Sequence, residues 1–177
     1  MRGFFRYLTG FVFCLVFRLI PKPPNIEPIM TSLMPFSKRY GLIAGFAFAF
    51  ASIMLLDLIT KKLGIWTLVT AMTYGLIGIM SAMYFRTRKP SRKNFLMFSV
   101  SATLLYDAIT GPLMSSILFN ISFAQATIGQ VPFTLLHLSG NMLFAVLLSP
   151  LLYDWVVENP ALSTQKVLRK LGAITHS

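Results

Sequence analysis

The chain has 177 residues, of which 55% are hydrophobic and 12% are charged. Soluble domains carry about 25% charged residues, so this composition indicates a polytopic membrane protein and excludes a sizeable soluble domain. The formal net charge of +11 comes from bases in short links between apolar runs, which favours a topology signal and argues against nucleic-acid binding.

The first predicted helix covers about residues 4–20. Its basic start, with Arg2 and Arg6, and its apolar centre are also typical of a signal peptide. No small-residue cleavage site follows the apolar run, so we interpret it as a retained membrane helix. Gly10 and Cys14 have the small-xxx-small spacing that lets a second helix approach closely.

The second predicted helix, about residues 26–37, is short, and the charge distribution decides whether it crosses the membrane. If it does not cross, the basic links fall on both sides. If it crosses, one side keeps only Lys22, Lys61 and Lys62, with Arg18 at the rim, and all other bases lie on the side of the two termini. The positive-inside rule favours this second arrangement. We therefore predict an all-α integral membrane protein with six transmembrane helices and cytoplasmic N and C termini.

The third and fourth helices, about residues 41–59 and 65–85, are nearly unbroken apolar runs, each close to the length that crosses a bilayer. Asp57 lies near the end of the third helix, where a carboxylate is costly unless it faces the protein interior or the water at the rim. Trp66 opens the fourth helix, at a depth that suits either an aromatic belt or the lid of a pocket.

The fifth helix is expected over about residues 95–118, with an interruption at Gly111 and Pro112. Proline ends or kinks a helix because it lacks the backbone N–H and clashes with the preceding turn. Residues 120–130 carry no Lys or Arg, which suits an external loop.

The sixth helix is expected over about residues 131–157, with Pro132 in its first turn, where proline is tolerated. Pro150 is expected to kink this helix near its inner end. Residues 1–157 are thus predicted to form one membrane domain, and residues 158–177 a short cytoplasmic tail.

Polar side chains fall mostly in the outer half of the predicted bundle. On the sixth helix Thr134, His137 and Asn141 are spaced i, i+3, i+7 and share one face. This face should point inward, because hydrogen-bonding groups are expensive in lipid. With Asp57, Trp66, Tyr74 and Asp107 at similar depth, the pattern predicts an aromatic-lined pocket open to the outside, suited to a small heteroaromatic or zwitterionic solute.

A purely structural interpretation of the same groups stays open. Asp57 and Asp107 would then cap helix ends or pair with lysines of the link between the third and fourth helices. His137 and Asn141 would hydrogen-bond neighbouring helices. The concentration of polar groups on one side favours the pocket.

Motifs of enzymes are missing from the sequence. It has no phosphate-binding G-x-x-x-x-G-K loop, no H-E-x-x-H and no G-x-S-x-G. We predict neither enzymatic nor ATPase activity for this chain. One Cys and two His offer no ligand cluster, so no metal and no cofactor are predicted.

Several stretches carry a resemblance to a known family. They are Arg18-Leu-Ile-Pro, Pro24-Asn-Ile-Glu-Pro28, the run from Leu33-Met-Pro-Phe to Ala44-Gly45, Leu56-Asp-Leu-Ile-Thr, Gly64-Ile-Trp-Thr67, Gln130-Val-Pro-Phe-Thr134 and Gly140-Asn141. In these motifs, in length and in predicted topology, the chain resembles the substrate-binding (S) components of energy-coupling factor (ECF) transporters.

The resemblance implies a prokaryotic plasma-membrane subunit that captures a vitamin or other micronutrient from outside. Its implied partners are a transmembrane coupling protein and two cytoplasmic ATPases. Gly10 and Cys14 would stand where family members carry an Ala-x-x-x-Ala face that docks the coupling protein, and the loop at about residues 21–27 would act as a gate. The residues expected to contact the solute are Asn25, Glu27, Asp57, Trp66, Tyr74, Asp107, His137 and Asn141.

Two functions from other classes remain as alternatives. A non-transporting scaffold of the cell envelope would tolerate apolar replacements at Asp57 and His137, whereas a pocket would not. A self-contained ion-coupled carrier would transport without ATPases, and it needs a deep ionisable group, for which only Asp107 is a candidate.

Overall fold

The computed structural model describes residues 3–21 and 26–175, and every regular element within them is helical. Four stretches within these described ranges are long and apolar enough to cross a membrane: Leu42–Ile59, Ile65–Thr87, Arg92–Phe119 and Phe123–Val157. The helices are α1 Phe4–Leu19, α2 Ile29–Tyr40, α3 Leu42–Ile59, α4 Ile65–Thr87, α5 Arg92–Ala108, α6 Met114–Phe119, α7 Phe123–Leu152 and α8 Thr164–Thr175.

The short helix α2 lies at the centre of the bundle. Its nine residues from Ile29 to Ser37 are all buried, and it contacts α1, α3, α4, α5 and α7. Its contacts with five other helices place α2 in the core of the bundle. It starts three residues later than predicted, because Pro28 disfavours a helical conformation at Glu27 before it.

The turn between α2 and α3 consists of one residue, Gly41. Its φ of 84° lies in the left-handed region, which glycine adopts without a steric penalty. This tight turn reverses the chain and sets α3 antiparallel to the buried helix. The third predicted helix therefore begins where expected, one residue after the turn.

The face of α1 that carries Gly10 and Cys14 is buried inside the chain. A side chain at Gly10 would overlap the ring of Phe36 on α2, and Cys14 is fully buried. The expectation that these two residues form a docking face for a partner is therefore wrong. The small residues do allow close helix contact, but the helix they admit is α2 of the same chain.

The fifth helix continues past Pro112 through a π-helical turn, Ile109–Leu113, into α6. Such a turn accommodates the hydrogen bond that proline cannot make. A second π-helical turn, Tyr153–Val157, follows Pro150, close to the predicted kink.

The predicted loop at residues 120–130 is wrong for most of its length. Asn120 ends α6 in a left-handed conformation (φ 54°), and α7 already begins at Phe123. The Ser122 hydroxyl accepts a hydrogen bond from the amide of Gln125 at 3.2 Å, which is a typical N-cap. Pro132 consequently lies inside α7 and not in its first turn.

Alternating helix directions place most basic residues at one end of the bundle, here called the basic end. Arg6 donates to the carbonyl of Asn159 at 2.9 Å, and Arg39 lies 3.4 Å from the carboxylate of Glu158. The Lys38 ammonium donates to the carbonyl of Phe85, which fixes the start of the basic α4–α5 link beside α2. The described bases there are Arg6, Lys38, Arg39, Arg86, Arg88, Lys89, Arg92 and Lys93, and α8, which carries Lys166, Arg169 and Lys170, contacts α1 at the same end.

Candidate functional site

A cavity of about 190 Å³ lies at the end of the bundle opposite the basic end. This end is called the pocket end. Residues from α1, α3, α4, α5 and α7 and from the segment before α2 line the cavity. Five of the predicted contact residues line it: Glu27, Asp57, Trp66, Tyr74 and His137.

An ion pair forms one wall of the cavity. The guanidinium of Arg18 lies 3.1 Å from Oε2 of Glu27 and donates to the carbonyl of Ser52 at 2.6 Å. The side chain of Arg18 is 4% exposed and that of Glu27 is 32% exposed. Gly140 of α7 leaves room for Ile26, the residue before Glu27, because a Cβ at position 140 would lie only 3.2–3.3 Å from Ile26.

Asp57 and Trp66 form the opposite side, where α3 turns into α4. The Thr67 hydroxyl donates to Oδ2 of Asp57 at 2.6 Å and accepts a hydrogen bond from the amide of Gly64 at 3.2 Å. These bonds fix the carboxylate at the start of α4 and leave Oδ1 without a described partner. The indole of Trp66 is 36% exposed and lies 5.9 Å from the ring of Phe119, centroid to centroid.

The floor of the cavity is a buried chain of hydrogen bonds. Nδ1 of His137 lies 2.8 Å from Oδ1 of Asp107, and Nε2 lies 3.3 Å from the hydroxyl of Tyr74. Because a carboxylate only accepts, Nδ1 of His137 carries the hydrogen toward Asp107, and Nε2 shares a hydrogen bond with the Tyr74 hydroxyl. The Tyr106 ring packs on Tyr74, with centroids 4.2 Å apart.

Two predicted contact residues do not line this cavity. Asp107 lies behind His137 and orients the imidazole. Asn141 is fully buried one turn deeper on α7, where its amide nitrogen donates to the Thr103 hydroxyl at 2.8 Å, so it joins α7 to α5 as the structural interpretation of the sequence expected. Asn25, the remaining predicted contact, lies outside the described residues.

Four lining residues were missed as contacts: Arg18, Ile53, Thr70 and Tyr106. Arg18 had been placed at the rim, and the nine-residue spacing to Glu27 did not indicate a pair. A basic residue at the end of an apolar helix near an acidic one in the following loop is the signal that was available. Tyr106 could be assigned to the cavity only by knowing which side of α5 faces α4, and the sequence of α5 does not give this.

A second cavity of about 260 Å³ lies between α5 and α7. It is lined by Asp107, Gln130 and Thr134 together with apolar side chains such as Leu104 and Leu135. Leu104 and Leu135 are exposed on the outside of the bundle, so this cavity lies at the surface between α5 and α7 and is separate from the first one.

Within the described ranges, no group of three or more His, Cys, Asp or Glu residues has an arrangement that would hold a metal ion. No protein-family model matches the chain, and comparisons with curated proteins and with solved structures return no match. The relation to the S components of ECF transporters therefore stays a prediction.

Proposed function

We propose that the chain is the membrane-embedded substrate-binding subunit of an ECF-type importer, which captures a small micronutrient from outside the cell. The observation that carries the proposal is the cavity at the pocket end, where two carboxylates, an arginine, an imidazole and aromatic rings converge. Ligand sites combine apolar and aromatic walls with a few polar groups that orient the ligand. A bundle held together only by structural contacts has no need for such a cavity.

The charge distribution supports the orientation. Cytoplasmic loops of membrane proteins carry an excess of Lys and Arg, so the basic end faces the cytoplasm and the pocket end faces outward. In this proposal α1 and α2 also cross, which makes six transmembrane helices with both termini inside. The 12 residues of α2 span only about 18 Å, and its first nine residues, Ile29 to Ser37, are buried among the surrounding helices.

The proposed partners are a transmembrane coupling protein and two cytoplasmic ATPases, which would supply the energy that this chain has no motif to provide. Since Gly10 and Cys14 pack against α2, the coupling protein would contact another part of the bundle surface.

Thiol labelling of variants with one added cysteine, in intact cells, tests the orientation. We expect Lys62→Cys, at the pocket end, to react with a membrane-impermeant maleimide. Ser91→Cys, in the basic α4–α5 link, should react only after permeabilisation. The native Cys14 is fully buried and serves as the background control. Labelling of Ser91→Cys in intact cells would reverse the orientation and contradict the proposal.

Tryptophan fluorescence tests solute capture. Trp66 lines the cavity, whereas Trp155 is 69% exposed near the basic end, so Trp155→Phe leaves one reporter in the pocket. We expect a saturable fluorescence change when this variant, in lipid nanodiscs, is titrated with one of the B vitamins or modified nucleobases. The matched variant Trp66→Phe should stay silent. The absence of a saturable change across the panel would count against a binding subunit and favour the scaffold.

One observation favours a second candidate, a self-contained proton-coupled carrier. The Asp107–His137 pair is buried, with both side chains no more than 6% exposed, and buried ionisable pairs in membranes often carry protons. Reconstitution into liposomes distinguishes the candidates, because a carrier accumulates solute under a proton gradient without ATPases. The importer subunit would accumulate none until its partners and ATP are added.

A further inference from the structure

We propose that the cavity at the pocket end selects a small aromatic or heteroaromatic monocation, such as a protonated amine, an amidine or a ring with a quaternary nitrogen. This rests on the proposed capture function and adds to it the chemical class of the solute. Three properties of the cavity carry it: its net charge, its free acceptor atoms and its aromatic walls.

The charges in the cavity do not cancel. Arg18 and Glu27 neutralise each other through their ion pair. Asp57 has no Lys or Arg within 4 Å among the described residues, and its described hydrogen-bond partner is the neutral Thr67. Because Asp107 and His137 pair with each other, Asp57 leaves the described lining of the cavity with a net negative charge. A bound cation would offset this charge, and an anion would be repelled by it.

The hydrogen-bonding atoms at the mouth are mainly acceptors. Oε1 of Glu27 and Oδ1 of Asp57 have no described partner, while the other oxygen of each carboxylate is engaged. The guanidinium of Arg18 is engaged by Glu27 and by the carbonyl of Ser52. The free carboxylate oxygens therefore favour a solute that brings N–H donors, and charged donors make the stronger bonds to carboxylates.

Aromatic rings complete the site. Tyr74 and Tyr106 form a packed pair, with centroids 4.2 Å apart, and Trp66 closes the mouth. The faces of such rings attract cations. The volume of about 190 Å³ is below the roughly 300–1,000 Å³ of sites for drug-sized ligands. One ring with a short charged substituent suits this space.

Three isosteric probes isolate the effect of charge: benzamidine (cationic), benzamide (neutral) and benzoate (anionic). In the Trp155→Phe reporter we expect benzamidine to bind about tenfold more tightly than benzamide, because pairing with Asp57 and cation–π contacts add to the shared ring contacts. Benzoate should bind most weakly. Asp57→Asn preserves the shape and should reduce the preference for benzamidine over benzamide to within about threefold.

Glu158→Gln, at the basic end, is the matched control and should leave the preference unchanged. Benzoate binding as tightly as benzamidine would overturn the charge class, and so would an unchanged preference in a folded Asp57→Asn protein. If Asp57→Asn does not fold, the rank order in the reporter still decides. If a neutral or anionic micronutrient binds and no cation does, the proposed preference for cations is wrong, but the proposed capture of a solute still stands. If nothing in either panel binds, the proposed function fails as well.

Discussion

Replacing His137 with leucine is expected to lower the free energy of unfolding by about 3–5 kcal/mol, since removing one partner of a buried hydrogen-bonded pair leaves the other buried group, a carboxylate, without its partner. This carboxylate is that of Asp107, which is 4% exposed. Its Oδ1 would lose the 2.8 Å hydrogen bond to His137, and its Oδ2 already has no described protein partner. Unpaired carboxylates are costly in water-free protein and more so within a membrane.

Reversible unfolding in mixed micelles, followed by circular dichroism, measures this loss. The double variant His137→Leu/Asp107→Leu should recover most of the stability, because apolar replacement of both partners is often nearly neutral. Ser139→Leu, on the exposed face of the same helix, is the matched control and should change stability by less than about 0.5 kcal/mol. Equal losses in the single and double variants would show that the charge on Asp107 is not the cause.

The second large effect is expected at Arg18. Arg18→Met keeps an unbranched apolar stem but removes the guanidinium and its hydrogen bonds to Glu27 and to the carbonyl of Ser52. We expect a loss of about 2–3 kcal/mol, which is less than for a fully buried pair because Glu27 is 32% exposed and partly solvated. The released Glu27 also adds a second negative charge to the cavity, so binding of any anionic solute should weaken further.

The same unfolding assay, combined with solute titration in the Trp155→Phe background, separates the two consequences. Arg18→Met/Glu27→Gln removes both charges and should regain part of the stability. Arg92→Met, at an exposed position at the start of α5, is the matched control and should change stability by less than about 0.5 kcal/mol. If Arg18→Met unfolded no more easily than Arg92→Met, the ion pair would have no role in holding the loop before α2 against α1.

The elements that could be predicted from the sequence are those set by local pattern. The apolar runs of α3 and α4 have nearly the predicted bounds, because both the length and the hydrophobicity of a membrane helix follow from the thickness of the bilayer. The inward face of α7 was also found, with His137 and Asn141 buried. Its spacing depends only on the helical period.

The elements that were predicted wrongly are those whose sequence signals occur in more than one kind of structure. Pro132 was interpreted as the start of a helix, yet the Ser122 cap starts α7 earlier, and proline is present within the longer helix. The small residues Gly10 and Cys14 predict a close contact with another helix but do not indicate which helix it is. In the bundle that neighbour is α2, and not a separate protein.

The sequence by itself determined that this is a helical membrane protein, with its charges sorted between two sides and with polar groups gathered on one of them. These properties depend on composition and on the spacing of residues along each helix. Only the tertiary structure decided which of the polar groups share a cavity. Arg18 meets Glu27 there, and Asp57 lies opposite, whereas Asp107 and Asn141 face neighbouring helices. The reason is that the positions of these side chains depend on how each helix is rotated about its axis and on how distant segments pack together. The spacing of residues within one segment does not determine either of these.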